Sequence, residues 1–168
     1  MKRNLILISV SLLLASCSLL KPLVKEPQLV IPNDRYEKMV EESVDEILSG
    51  GWLSDFLTTN NERPIVMMSK ISNNAKVQAN NTGAIGWFNR DLAESGQVRV
   101  VKSNEAQQEM MPYDLAQGQS VDFVLSANFE KQVDTSPTIT IFAVSLWSNT
   151  STLPIVVVKK EIIGNPSE

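Results

Sequence analysis

The sequence contains no histidine and only one cysteine, Cys17, among its 168 residues. Histidine and cysteine supply most zinc ligands, and they supply the base or the nucleophile of the common hydrolytic triads. Their scarcity excludes Ser-His and Cys-His catalysis, a disulfide within one chain, and the usual metal sites. We therefore expect no metal ion and no enzymatic activity.

Glycine-rich phosphate-binding motifs and basic clusters are absent as well. Neither G-x-G-x-x-G nor G-x-x-x-x-G-K-[ST] occurs, so the sequence signals no nucleotide cofactor. The 15 lysine and arginine residues are outnumbered by 19 acidic residues, whereas nucleic-acid binding requires a basic surface. No acidic residue lies within an apolar segment, as a general acid would require. We expect no cofactor, no small-molecule substrate and no nucleic-acid partner.

The only long apolar run lies at the N-terminus. Lys2 and Arg3 precede apolar residues from Leu5 to Ala15, a run shorter than the roughly 20 residues that span a bilayer. A basic start, a short apolar stretch and then small residues are typical of a secretory signal peptide. The sequence therefore predicts that residues 1–16 form a signal peptide.

The single cysteine closes this pattern. Leu14-Ala15-Ser16-Cys17 resembles the lipobox of bacterial lipoproteins, whose cysteine becomes the acylated N-terminus. The resemblance implies that Cys17 carries diacylglyceryl and palmitate chains, and two or more chains suffice for stable anchoring. Ser18 replaces the aspartate that favours inner-membrane retention, which implies an outer-membrane anchor facing the periplasm. The alternative is a free or buried cysteine that follows a signal by chance.

A short tether and one globular domain are predicted after the lipobox. Residues 17–33 contain three prolines and no helical or alternating period, which indicates an extended linker. The sixteen residues after Cys17 reach at most about 55 Å. Residues 34–168 suit a single domain. Loss of two basic residues with the signal takes the net charge from −4 to −6, so membrane attachment is expected through lipid alone.

An amphipathic helix is predicted at the start of the domain. Asp34 and Glu37 form a D-x-x-E pattern related to the capping box, and Gly50-Gly51 supplies a stop. A further short helical turn from Trp52 to Leu57 is expected to fold back on a sheet. The first helix has a single apolar face, whose residues recur at spacings of three and four: Tyr36, Met39, Val40, Val44, Ile47 and Leu48.

A strand, a helix and a strand are predicted next. The strand Arg63–Ile71 is apolar enough to be buried on both faces, and a second strand is predicted for Gln97–Val101. The helix Asn81–Ser95 between them ends at Gly96, and its core stripe comprises Ile85, Phe88 and Leu92. This order predicts a βαβ unit with a right-handed crossover and parallel strands.

The last third of the sequence changes to a period of two. After turn signals at Pro112 and Gly118, three strands are predicted: Val121–Phe129, Thr138–Trp147 and Pro154–Ile163. Their short joints favour an antiparallel meander. The predicted fold is therefore a mixed α/β, three-layer-like sandwich. It has a mixed sheet of about five strands, one βαβ unit followed by an antiparallel meander, and helices on its faces.

Residues 63–101, the stretch VDFVLSANFE and the paired strands to Glu161 resemble the LpoB family of outer-membrane lipoproteins. The shared pattern is a basic residue with proline, an apolar strand, an asparagine-rich turn, a helix closing in glycine, and a strand. The resemblance implies a sandwich related to the N-terminal domain of TolB. It also implies a protein that binds and activates a class A penicillin-binding protein and so regulates peptidoglycan synthesis and cell shape.

The short tether leaves an alternative open, because a reach of about 55 Å is small for contact with an inner-membrane synthase. The alternative is an envelope lipoprotein of the same fold that serves as a structural or assembly partner in another periplasmic complex.

A candidate partner-binding surface is predicted on the second helix. On a helical wheel of about 100° per residue, Trp87 falls outside the core stripe and lies between Arg90 and Glu94. Tryptophan and arginine are enriched at binding hot spots, although boundary packing would explain Trp87 as well. The loop before the helix would supply a polar rim, formed by Asn73, Asn74 and Lys76.

Overall fold

The structure, a computed structural model, describes residues 28–104, 107, 110–118, 120–132 and 139–163. The predicted signal peptide and Cys17 lie outside these residues. The helices are α1 (Asn33–Leu48), α2 (Gly51–Asn60), α3 (Asn81–Glu94) and α4 (Pro112–Gly118). The strands are β1 (Ile65–Asn73), β2 (Arg99–Lys102), β3 (Phe123–Lys131), β4 (Ile139–Ser148) and β5 (Val156–Ile163).

The described strands form one mixed sheet in the order β2-β1-β3-β4-β5. β1 pairs in parallel with β2 on one side and with β3 on the other. β3, β4 and β5 are antiparallel neighbours. The predicted mixed five-stranded sheet, with a parallel β1-α3-β2 unit and an antiparallel meander, is confirmed. The position of β1 between β2 and β3 joins these two halves into one sheet.

One face of the sheet carries most of the core. Helices α1, α2 and α3 cover it, and the predicted apolar face of α1 is buried there. Trp52 and Phe56 of α2 lie with their ring centroids 4.7 and 5.4 Å from that of Phe123, so α2 folds back on the sheet as predicted. The largest fully buried aromatic side chains also lie on this face: Tyr36, Phe88, Phe129 and Phe142.

The other face is covered by α4, which packs Leu115 and Ala116 against Met67 and Val124. The interpretation of Pro112 and Gly118 as turn signals is wrong, because they are the first and last residues of this short helix. Proline is tolerated at the first helical position, where its missing N–H would have no partner in the helix. Because both faces are covered near β1, its residues from Val66 to Ser69 are buried, as predicted.

The start of α1 differs from the predicted capping box. Its N-cap is Pro32, which makes no side-chain cap hydrogen bond, and the helix begins at Asn33. Asp34 lies in the first turn, where a negative charge interacts favourably with the helix dipole. Glu37 instead forms an ion pair with Arg90 of α3. The carboxylate that local sequence assigned to capping therefore connects two helices.

The stretch assigned to the tether contacts the domain from Gln28 onward. The Ile31 N–H donates to the Gln78 carbonyl at 3.0 Å, and the Gln78 N–H donates to the Leu29 carbonyl at 2.8 Å. The Gln28 side chain donates to the Lys76 carbonyl at 2.7 Å, and Ile31 is only 4% exposed. Gln28–Ile31 thus forms a strap over the loop that follows β1.

Candidate partner-binding surface

Helix α3 packs against α1, β1 and β2, so one of its faces is committed to the core. Asn80 caps its start by accepting a hydrogen bond from the Gly83 N–H at 2.9 Å. Gly96 follows its end with a φ of +64°, as expected for a glycine after a helix C-terminus. The buried stripe comprises Ala84, Phe88 and Leu92. Ile85, which was predicted in that stripe, is half-buried because Ala84 occupies the inner position.

Trp87 is half-buried at the edge of the core. Its ring meets Tyr36 of α1 edge to face, with centroids 5.7 Å apart and an interplanar angle of 83°. Tyr36 is fully buried, and its hydroxyl group donates a hydrogen bond to Asn81 Oδ1 at 3.2 Å. Burial raises the pKa of Tyr36 well above its ordinary value, so its hydroxyl remains a neutral donor. One part of Trp87 is therefore fixed by packing, while the remainder faces solvent.

Arg90 connects α3 to α1. Its Nη1 lies 2.7 Å from Glu37 Oε1, and its Nε lies 2.8 Å from Asp91 Oδ1. Hydrogen bonds to Asp91 and then to Glu37 raise the pKa of Arg90 above its usual range, so the guanidinium stays charged. Its side chain is still 44% exposed. Glu94, one turn further along α3, is exposed and forms no ion pair within the described part of the chain.

The loop after β1 is held by an asparagine side chain. Asn73 donates to the Val77 carbonyl at 2.7 Å and accepts from the Val77 N–H at 2.8 Å. Lys76 has a left-handed φ of 55°, and its carbonyl accepts the Gln28 bond of the strap. Asn74 and Lys76 are exposed. Asn73 thus supports the loop, whereas Asn74 and Lys76 present their side chains to solvent.

The loop and Trp87 meet through the aromatic cluster beneath them. The Ala75 N–H donates to the Phe129 carbonyl at 3.0 Å, and the Phe129 ring lies 5.4 Å from that of Tyr36. Tyr36 in turn contacts Trp87. Glu94 lies about 10 Å from Trp87 along the helix axis, at 1.5 Å per residue. We call the six predicted residues the helix–loop surface: Asn73, Asn74, Lys76, Trp87, Arg90 and Glu94.

Sequence reasoning missed a shallow cleft beside this surface. The cleft has a volume of about 420 Å³ and lies between α3 and the end of β2. Asn89 Oδ1 is buried and has no hydrogen-bond partner among the described residues. Gly86 borders open space, because a Cβ there would meet nothing within 4 Å. The cleft is lined by Ile85, Gly86, Asn89, Arg90, Lys102 and Ser103, so it carries two cations and no acid–base pair.

Among the described residues, no group of three or more acidic or cysteine side chains is placed to hold a metal ion. No helix in the same part of the chain is long and apolar enough to cross a membrane.

Comparisons with known proteins identify a family and a shared fold. The sequence model of the family described as "Peptidoglycan-synthase activator LpoB" matches residues 35–137, a range that contains the whole helix–loop surface. The LpoB C-terminal domain from Escherichia coli is similar with a TM-score of 0.55 and 12% identity, covering 76% of this chain and 97% of that one. At such identity the likeness shows the fold alone.

A second solved structure, the LpoB C-terminal domain from Salmonella enterica, has a TM-score of 0.51 and 11% identity. The similarity covers 77% of this chain and 98% of that domain. No curated protein sequence matches this chain.

Proposed function

The chain belongs to the LpoB family of peptidoglycan-synthase activators, and we propose on this premise that it binds and activates a class A penicillin-binding protein. In this proposal it is an outer-membrane lipoprotein that performs no catalysis and regulates cell-wall synthesis through contact with the synthase. The observation that carries the proposal is the family match over residues 35–137, which runs from α1 to beyond β3.

We assign the contact with the synthase to the helix–loop surface. Trp87 supplies an aromatic anchor that its contact with Tyr36 already orients. A side chain that is ordered before binding loses little conformational entropy on association. Asn74 and Lys76 stand on a loop that is fixed by Asn73 and by the strap. This combination of a central aromatic residue and a polar rim is typical of binding hot spots.

Arg90 acts in this proposal as both a support and a donor. A guanidinium has five N–H donors, and the bonds to Glu37 and Asp91 use two of them. The remaining donors are available to a carbonyl or carboxylate of the synthase. Because two carboxylates fix the guanidinium plane, Arg90→Lys is expected to weaken synthase capture even though it keeps the positive charge.

The membrane anchor is the second part of the proposal. We propose that residues 1–16 are removed and that Cys17 is acylated at the outer membrane. Fractionation of cells that produce Cys17→Ala tests this assignment. We expect the variant to leave the membrane fraction, and undiminished mature protein in the membrane pellet would contradict the anchor.

One observation favours the alternative, a structural or assembly role in another periplasmic complex. Because the strap begins at Gln28, only residues 18–27 lie between Cys17 and the described domain. Ten residues span at most about 36 Å. A partner close to the outer membrane would suit this reach better than a synthase whose periplasmic part stays near the inner membrane.

Crosslinking and pull-down of the intact lipoprotein from its own envelope tests the two functions. Recovery of a class A penicillin-binding protein supports activation, and the purified pair should then show faster glycan synthesis than the synthase alone. Recovery of a different envelope complex without a synthase supports the alternative.

The same pull-down tests the surface. Lys76→Ala should reduce capture, whereas the control variant Arg63→Ala should not, because exposed Arg63 precedes β1 and the loop follows the other end of that strand. Equal capture by both variants would contradict the assignment of this surface.

A further inference from the structure

Strand β5 forms one edge of the described sheet. Its eight residues pair with β4 alone, and the register is regular from Val156 to Ile163. An edge strand presents unpaired backbone N–H and C=O groups, which are a template for another strand. We propose that β5 pairs antiparallel with β5 of a second copy of this chain, which would join two five-stranded sheets into one.

Every second side chain of β5 points away from α1 and is exposed to solvent. These side chains lie opposite Ser145, Ala143, Ile141 and Ile139 of β4, and two charged residues stand between two apolar ones: Val157, Lys159, Glu161 and Ile163. Val157 is 43% exposed and Ile163 is 55% exposed. Lys159 and Glu161 form no ion pair within the described residues. The strand thus presents two apolar groups and two opposite charges to solvent.

A two-fold axis perpendicular to the sheet keeps the faces of both copies aligned, so residues that point to the same side must pair. When the axis passes between the two Lys160 residues, Lys159 lies opposite Glu161 of the second copy, and Glu161 lies opposite its Lys159. Val157 then lies opposite Ile163 of the second copy. A shift of the axis by one residue places Lys159 against Lys159, or Glu161 against Glu161. One register therefore satisfies both charges.

Lys160 would otherwise oppose this pairing, because lysine on an edge strand usually prevents association. Its Nζ lies 2.9 Å from Glu46 Oε2 and 3.8 Å from Glu42 Oε2 of α1. These carboxylates offset the repulsion between the two ammonium groups that meet at the axis. The lysine that would block self-pairing is therefore neutralised within its own chain.

The pairing would leave the helix–loop surface open. In the sheet order, β3 and β4 separate β5 from β1, and α3 packs over β1 and β2. A pair of copies would then carry two such surfaces at its opposite ends. Anchoring in one membrane would raise the effective concentration of the copies toward each other. The pairing itself does not depend on the proposed function.

Disulfide trapping in native membranes tests the register. Full-length Lys160→Cys should form a linked dimer on oxidation, because directly opposite Cβ atoms lie about 4.5–5.5 Å apart. Lys102→Cys on β2 is the control, because it lies at the opposite edge of the described sheet and outside the proposed interface. The wild-type chain measures any link through Cys17. Equal trapping at positions 102 and 160, or none at 160, would overturn the proposal.

A charge exchange in the Lys160→Cys chain tests the ion pairs. Lys159→Glu or Glu161→Lys alone should reduce trapping, with pairing weakened about tenfold, because each places like charges opposite each other twice. The double variant K159E/E161K should restore trapping, since it re-forms both pairs in reverse. Failure of the double variant to exceed the single variants would overturn the register.

Discussion

The two faces of the sheet differ greatly in how much protein covers them. One face packs against the sixteen, ten and fourteen residues of α1, α2 and α3, and it holds the buried aromatic cluster. The other face packs against the seven residues of α4. The central strands are buried on both sides, whereas β5 alternates between covered and exposed residues. Coverage thus decreases toward the β5 edge.

This difference indicates that the face under α1, α2 and α3 contributes most of the stability, whereas the other face is more accessible to other molecules. Burial of large aromatic side chains contributes more free energy than burial of the few residues beneath α4. The thinly covered face keeps Val157 and Ile163 in contact with solvent.

The largest effect is expected from Phe142→Ala on the thickly covered face. Phe142 is fully buried, and its ring lies 4.8 Å from that of Phe129 and 5.5 Å from that of Tyr36. Truncation should lower the free energy of unfolding by about 3–5 kcal/mol, because it leaves a cavity among rigid rings. Urea-induced unfolding measures the loss, and Phe142→Leu should cost less. A loss smaller than that of Leu115→Ala would contradict the comparison.

Leu115→Ala tests the thinly covered face. Leu115 is fully buried between α4 and the sheet. We expect a loss of about 2–3 kcal/mol, at the lower end for a core leucine, because a short helix can shift to fill the space. Hydrogen exchange should accelerate in α4 and leave α1 protected. Asp114→Ala, at an exposed neighbour, is the control, and uniform acceleration in both helices would show that the faces unfold together.

Trp87→Ala separates packing from recognition at the boundary. Loss of the edge-to-face contact with Tyr36 contributes about 0.5–1.5 kcal/mol beyond the area term, so we expect a total loss of about 2 kcal/mol. Trp87→Phe should retain most of the stability. Unfolding curves and partner capture are measured on both variants. If Trp87→Phe keeps both the stability and the partner capture of the wild type, the indole serves only in packing. If Trp87→Phe is stable but no longer captures the partner, the indole contacts the partner.

The smallest effect concerns Tyr36 at alkaline pH. Its folded-state pKa is raised above 10.0 by burial, so the neutral hydroxyl contributes stability that is complete below pH 9 and decreases as the pH rises above about 10. One proton corresponds to a slope of at most about 1.4 kcal/mol per pH unit. Denaturation midpoints between pH 8 and 11 measure it. Tyr36→Phe should show a flatter profile, and identical profiles would contradict the assignment.

Local sequence was sufficient for the order and type of most elements. The apolar period of α1, the alternation in β3 to β5 and the glycine after α3 all reflect neighbours within a few residues. Trp87 could be placed at a helix boundary for the same reason, because its angle on the wheel depends only on its distance from Phe88 and Leu92. The exposed positions of Asn74 and Lys76 also follow from a polar loop.

Contacts between distant residues could not be predicted in this way. Glu37 pairs with Arg90 although a capping pattern was available to it, and Asn73 holds its own loop rather than facing solvent. The cleft beside α3 requires the end of β2, which the sequence does not place there by any local signal.

The sequence by itself therefore determined α1, α2 and α3, most strand positions and the absence of histidine chemistry, because periodicity and composition are local properties. Tertiary structure alone decided that β1 lies between β2 and β3, that α4 covers the second face and that β5 forms an edge. The physical reason is that strand neighbours depend on burial and loop closure summed over the whole chain. The residues next to a strand in sequence therefore do not indicate which strands will be its neighbours in the sheet.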